Sequence, residues 1–272
     1  MFRVQKRKSG LIAAVELGEL IFHCTARAAR GGYSNALFGL AMNCLTTAVF
    51  VVALYLTMWL MGMTTSAIRG DFIMFLMSGI MSYLTYNKTM KAVYSSEGPA
   101  SPMMLHAPMT TFVAICSAAL SALYNQILAI GVILFIYHVV FRPVVVADPA
   151  FAFAMVLAAW FFGIGTGMLL LAAKPWFPKF APLMMMIISR INIFASGKML
   201  VGNALSFKLL RLFSWNPLFH FIDQMRGAIF INYTPRNSSL SYALWVSVAL
   251  VALGLMGEFF TRKHASRSWT AL

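Results

Sequence analysis

The residues able to do chemistry concentrate near one end of the chain. Between Arg190 and Arg236 stand six basic side chains, Arg190, Lys198, Lys208, Arg211, Arg226 and Arg236, against one acid, Asp223. Interleaved with them are Phe207, Phe213, Trp215, Phe219, Phe221, Phe230 and Tyr233. Excess positive charge attracts an acidic polymer. Aromatic faces can stack on sugar rings, and they can equally form a belt at a membrane interface. His220 and Asp223 are spaced for one helical turn. No nucleophile motif or second acid accompanies them, so they do not make a catalytic set. Gly197-Lys198 is followed by Met199 where a phosphate loop needs Ser or Thr, and Asn192 stands where the leading Gly belongs. The sequence therefore contains no nucleotide site. The five histidines are scattered, with no HExxH. Cys24, Cys44 and Cys116 form no CxxC and read as buried small hydrophobes.

Elements of a particular kind must carry these residues. The chain has 272 residues, 61% hydrophobic and only 10% charged, with mean hydropathy +0.80. Soluble domains carry about 25% charged residues. The expectation is an all-α polytopic membrane protein, with one transmembrane domain over residues 1–272. The net charge of +14 would suit nucleic acid, but in so apolar a chain positive-inside loops explain most of it. Nucleic acid is not an expected partner. Arg3, Lys6, Arg7 and Lys8 resemble the start of a signal peptide, yet Glu16 and Glu19 interrupt the apolar core such a peptide needs.

Residues 11–30 predict an amphipathic helix in the interface plane. Glu16, Glu19, His23, Arg27 and Arg30 share one face, with Leu11, Val15 and Phe22 on the other. Six spans follow, at Leu37–Met61, Phe72–Tyr94, Ala107–Val140, Phe151–Ala173, Pro182–Val201 and Leu240–Phe260. The fifth is interrupted by Arg190 and Lys198, and an arginine within a span faces a bundle interior, a cavity or a counter-charge. Gly163, Gly165 and Gly167 mark a small-residue packing face. From Phe213 to Pro235 the chain is too apolar for water. Asn216-Pro217, Asp223, Arg226 and Gly227 break it too often for a span. Backbone of that kind is tolerated at membrane depth only when buried in protein or lining a wet cavity. Asn216-Pro217 should separate two short helices, because a residue before proline avoids helical backbone. Gly227 should allow close packing. With both termini cytoplasmic, the inner segments collect most of the Lys and Arg, while the two short outer loops hold only Arg69 and Arg142. The longest inner connection, residues 88–104, carries a Gly-Pro-Ala-Ser-Pro break and suits a soluble partner.

Several stretches together carry a family likeness. They are Phe177-Pro178, then Ile188-Ser189-Arg190-Ile191-Asn192-Ile193-Phe194-Ala195-Ser196-Gly197, then Trp215-Asn216-Pro217-Leu218, then Tyr233 before the last span. In this order, behind an interface helix and an inner docking loop, they resemble the membrane subunit of type-2 ABC exporters. The branch most similar exports capsular polysaccharide and related lipid-linked glycans across the inner membrane of Gram-negative bacteria. The resemblance implies a permease, not an enzyme. Two copies would pair with two separate ATPase subunits, which would hold ATP and Mg, leaving this chain without a cofactor or metal of its own. A periplasmic or outer-membrane export partner is also compatible. Residues 200–236 would form periplasmic re-entrant helices. Arg190, Asn192, Phe194, Lys198, Trp215, Phe219, Arg226 and Tyr233 would line the substrate conduit. Lys91, Tyr94, Glu97, Pro99, Pro102, Met103 and Met104, within loop 88–104, would couple to the ATPase. The alternatives are a type-2 exporter of lipids or drugs and, in another class, an intramembrane enzyme modifying lipids or glycans.

Overall fold

Single polar side chains open several of the helices. The computed structural model describes residues 10–30, 36–62, 68, 70–98 and 110–264, and among them the regular structure is helical, with no strand. The order is α1 (Gly10–Ala29), α2 (Ala36–Leu60), α3 (Phe72–Tyr94), α4 (Thr111–Val140), α5 (Pro149–Ala173), α6 (Phe180–Ala195), a 3-10 turn (Gly202–Ala204), α7 (Phe207–Phe213), α8 (Pro217–Ile229) and α9 (Leu240–His264). Asp71 accepts from the Ile73 N–H at 3.0 Å to cap α3. Thr110 accepts from Val113 at 3.3 Å to cap α4. Asp148 accepts from Phe151 at 3.0 Å, with Pro149 opening α5. Each satisfies a backbone donor that the first helical turn leaves free.

The interior is built around α3 and α5. Helix α5 lies between α3 and α9, and these two pairings are the most extensive in the fold. The expected glycine face is the reason they pack so closely. A Cβ on Gly163 would lie 2.7 Å from the Tyr86 carbonyl oxygen, and one on Gly167 would lie 2.8 Å from that of Met90. Gly165 turns the other way, toward Leu250 of α9 at 3.0 Å. Small residues on both sides let three backbones converge.

Four helices are long and apolar enough to cross a membrane: Leu37–Leu60, Thr111–Val140, Pro149–Ala173 and Leu240–His264. Three of them expose continuous apolar faces, with Leu45, Val52 and Trp59 on α2, Val132, Phe135 and Val139 on α4, and Trp245, Val248 and Met256 on α9. Such surfaces call for a lipid environment. Six full spans were expected, and the other two differ from the rest. Helix α3 has the expected bounds, but it is enclosed by protein along most of its length. It can therefore carry Ser78, Ser82, Thr85, Asn87 and Thr89. The fifth expected span, 182–201, is a correction. Its helix ends at Ala195, about 24 Å after it begins, because Gly197 adopts φ 65° and turns the chain.

Helix α1 covers the stretch expected to be an amphipathic helix. Half-buried Leu20, Ile21, Cys24, Thr25 and Ala29 mark one side of it, and α4 is the element it packs against most. Val15 and Phe22 stay exposed. Chain segments group at two ends. One gathers Asp71, Tyr137 and residues 147–148, where the Asp148 N–H donates to the Ala228 carbonyl at 2.8 Å and Tyr137 bonds Asp71. The other gathers Lys174, over the Tyr94 ring at 5.3 Å, and Trp176, whose Nε1 donates to Thr261 at 3.0 Å.

Candidate functional site

Where α6 ends, the chain turns back inside the protein. Gly197 is needed there twice. Its positive φ disfavours any other residue, and a Cβ would sit 2.6 Å from the Phe219 ring. Three of the turn's carbonyls converge on one side chain. Arg226 of α8 donates through Nη1 to Gly197 O at 3.3 Å and to Leu200 O, and through Nη2 to Lys198 O. Its guanidinium stacks on Phe75 of α3, 4.0 Å from the ring centre. Arg226 is 1% exposed. A planar fork reaches carbonyls spaced along the turn from two separate nitrogens, whereas an ammonium donates from a single point. Gly79 of α3 completes the contact, since a Cβ there would meet the Lys198 carbonyl at 2.7 Å.

Lys198 is also 1% exposed. Among the described residues its Nζ has no hydrogen-bond partner. It lies over the Tyr83 ring at 3.8 Å and the Phe50 ring at 4.7 Å. These two aromatic faces attract the ammonium through their ring quadrupoles.

Asn216 behaves as the sequence requires. Its backbone is extended (φ −87°, ψ 115°), and its Oδ1 accepts from the Leu218 N–H to start α8 behind Pro217. Its Nδ2 reaches back to Asn192 Oδ1 at 2.8 Å and to the Ala195 carbonyl at 2.9 Å. Asn192 in turn donates to the Tyr86 hydroxyl at 3.4 Å, and Ser189 donates to Asn87 at 2.7 Å. A polar seam thus joins α3, α6 and the start of α8. Gly227 packs as expected, with Pro235 2.8 Å from where its Cβ would be.

His220 and Asp223, spaced for one helical turn, hydrogen-bond to other partners. The Ser239 N–H donates to His220 Nδ1 at 3.1 Å, so Nε2 carries the proton that goes to the Ser214 carbonyl at 2.8 Å. Both ring nitrogens serve the backbone. Asp223 instead accepts from the Tyr233 hydroxyl at 2.5 Å. Gly202 leaves room for that carboxylate, which would be 2.6 Å from a Cβ there. The cluster anchors a broken chain; it brings no nucleophile and base together.

The structure divides the eight expected conduit residues. Asn192, Lys198, Phe219, Arg226 and Tyr233 are buried, and their side chains are committed within this chain. Arg190, Phe194 (73% exposed) and Trp215 (56% exposed) point away from the core. Arg190, expected inside a bundle or beside a counter-charge, lies on the exposed side of α6 with Met186, Ile187, Ile191 and Phe194. Of the coupling residues, Lys91 and Glu97 are exposed, while Tyr94 is buried under Lys174. Lys88 to Tyr94 are the last turns of α3, so the loop proper begins at Ser95. Pro99, Pro102, Met103 and Met104 lie outside the described residues.

Sequence reasoning missed the α3 partners Phe75, Gly79, Tyr83 and Tyr86. Their signal was present in the polar stripe Ser78, Ser82, Thr85 and Thr89, which marks a span turned toward protein. The chain matches no protein-family model and no curated protein.

Proposed function

We propose that this chain is the permease subunit of a type-2 ABC exporter in the bacterial inner membrane. Two copies work with two separate ATPase subunits to move a capsular or related lipid-linked polysaccharide. The observation that carries this reading is the buried turn at Gly197–Leu200. It meets α3 at Gly79, roughly 10 Å of helix from the start at Phe72. A chain that turns at such depth and returns through two short helices is what a re-entrant segment requires. On this reading α3 is a further span, α6 crosses most of the bilayer before the turn at Gly197, both termini are cytoplasmic, and residues 200–236 face the periplasm.

The exposed side of α6 and the sparsely buried α2 are the surfaces left for a second copy and a conduit between the two. Arg190, Phe194 and Trp215 are the residues free to meet substrate. The attraction for an acidic glycan then rests on Arg190, Lys208, Arg211 and Arg236, since Lys198 and Arg226 are buried. Exposed Lys91 and Glu97 share an end with Lys174 and Trp176, which supports a platform for the ATPase.

The test is co-purification with an ATPase subunit, followed by replacement of residues 95–104 with a flexible linker. ATP hydrolysis by the assembled complex should fall to the level of the isolated ATPase. A folded chain that recruits no ATPase would remove the proposal.

A further inference from the structure

A groove of about 720 Å³ opens between α1, α2 and α4, away from the buried turn. Its walls include Phe22 and Ala26 of α1, Leu40 of α2, and Leu120, Leu123 and Leu128 of α4, and Arg30 lies at its edge. Small residues on α1 create the space, since among the described residues Gly18 has nothing within 4 Å of where a Cβ would be.

A hydrogen-bonded layer fixes the depth of this groove. Lys88 Nζ donates to Asn43 Oδ1 at 2.6 Å and to Thr47 Oγ1 at 2.9 Å. Asn43 Nδ2 donates to the Asn125 carbonyl at 2.7 Å, and Asn125 Nδ2 donates to the Ala29 carbonyl at 3.2 Å. Measured from Leu60, Val140 and Phe72, this layer is roughly 22–26 Å along each helix. The hydrocarbon core is about 30 Å thick. Lys88 therefore sits close to the opposite boundary from those ends, and the leucine walls run from Leu128, about 18 Å from Val140, to Leu40 and Leu120 at the boundary itself, about 30 Å from Leu60 and Val140.

We infer that the groove holds one acyl chain of an anionic inner-leaflet phospholipid, with its phosphate against Arg30. The inference rests on the sidedness proposed above, because the cytoplasmic leaflet carries the anionic lipid. Water would find too few polar partners along these walls to be ordered. An empty groove would forfeit dispersion contacts along its whole length. In a bilayer, the material at hand is an acyl chain. The volume falls in the range of about 300–1,000 Å³ usual for ligand sites, and Arg30, with exposed Arg27 one turn earlier, supplies the charge that a phosphate needs.

Native mass spectrometry of the delipidated full-length protein tests this. Phosphatidylglycerol, phosphatidylcholine and inorganic phosphate would be added back separately. Phosphatidylglycerol should be retained, phosphatidylcholine held more weakly, and phosphate alone not held. Gly18→Leu and Ala26→Leu, each filling the groove from α1, should abolish retention. Arg30→Gln should weaken phosphatidylglycerol roughly five-fold, and phosphatidylcholine, whose phosphate is offset by its own cation, by less.

No retained lipid, or retention equal in the filled variants, would overturn the site. So would loss of self-association in those variants with lipid retention intact, which would make the groove an interface between copies. ATPase recruitment is read separately. Its loss with lipid retained counts against the exporter alone, and the reverse counts against the lipid site alone.

Discussion

Replacing Gly79 by alanine tests the packing of the buried turn most directly. Gly79 lies in α3 against the turn, where a Cβ would be 2.7 Å from the Lys198 carbonyl, 2.9 Å from the Lys198 Cβ and 3.0 Å from Arg226 Nη2. Ordinary contact begins at 3.4 Å. The nearest neighbour is backbone, and Arg226 holds that same carbonyl in place. Relief therefore requires α3 and the turn to separate, at the expense of the arginine's hydrogen bonds. Gly131 of α4 supplies the control, because among the described residues nothing lies within 4 Å of where its Cβ would be. Both substitutions add one methyl group and gain the same helix propensity, about 1 kcal/mol. What separates them is the contact term, about 1–3 kcal/mol for overpacking. Gly131→Ala should stabilise by about 1 kcal/mol, and Gly79→Ala should fall below it by about 2 kcal/mol, near the middle of that range. Reversible unfolding in mixed detergent and dodecyl sulfate micelles measures the difference. Equal stability of the two variants would refute the claim that the turn is packed against α3.

Two further substitutions separate the two buried cations. Arg226→Lys keeps the charge but cannot fork to the Gly197, Lys198 and Leu200 carbonyls; with each abandoned carbonyl costing about 1–3 kcal/mol, destabilisation of about 3 kcal/mol is expected in the same unfolding assay. Exposed Arg190→Lys should leave that midpoint unchanged. Lys198→Met should be neutral or stabilising by up to about 2 kcal/mol, because burying an ammonium costs more than two aromatic faces return. A clear loss of stability in Lys198→Met would show that Nζ has a partner in the folded membrane form.

The sequence alone determined the class of the molecule and the positions of its breaks. A composition of 61% hydrophobic and 10% charged residues admits few soluble folds, and the apolar runs Leu37–Met61, Phe151–Ala173 and Leu240–Phe260 coincide closely with three of the helices long and apolar enough to cross a membrane. Asn216-Pro217 announced a helix start, because capping and proline geometry act over a few neighbouring residues. The glycines at 163, 165 and 167 announced close packing in the same local way. Tertiary structure decided which charges are used where. Arg190 read as the buried cation because it follows an apolar run, yet it lies on the exposed side of α6. Arg226 and Lys198 occupy the interior instead. Burial of a charge depends on carbonyls and rings brought in from distant segments, here the 197–200 turn, Phe75, Tyr83 and Phe50. The length of α6 was hidden for the same kind of reason. Hydropathy continues past Ala195, and only the left-handed backbone at Gly197, fitted against Phe219, turns the chain away from a full crossing.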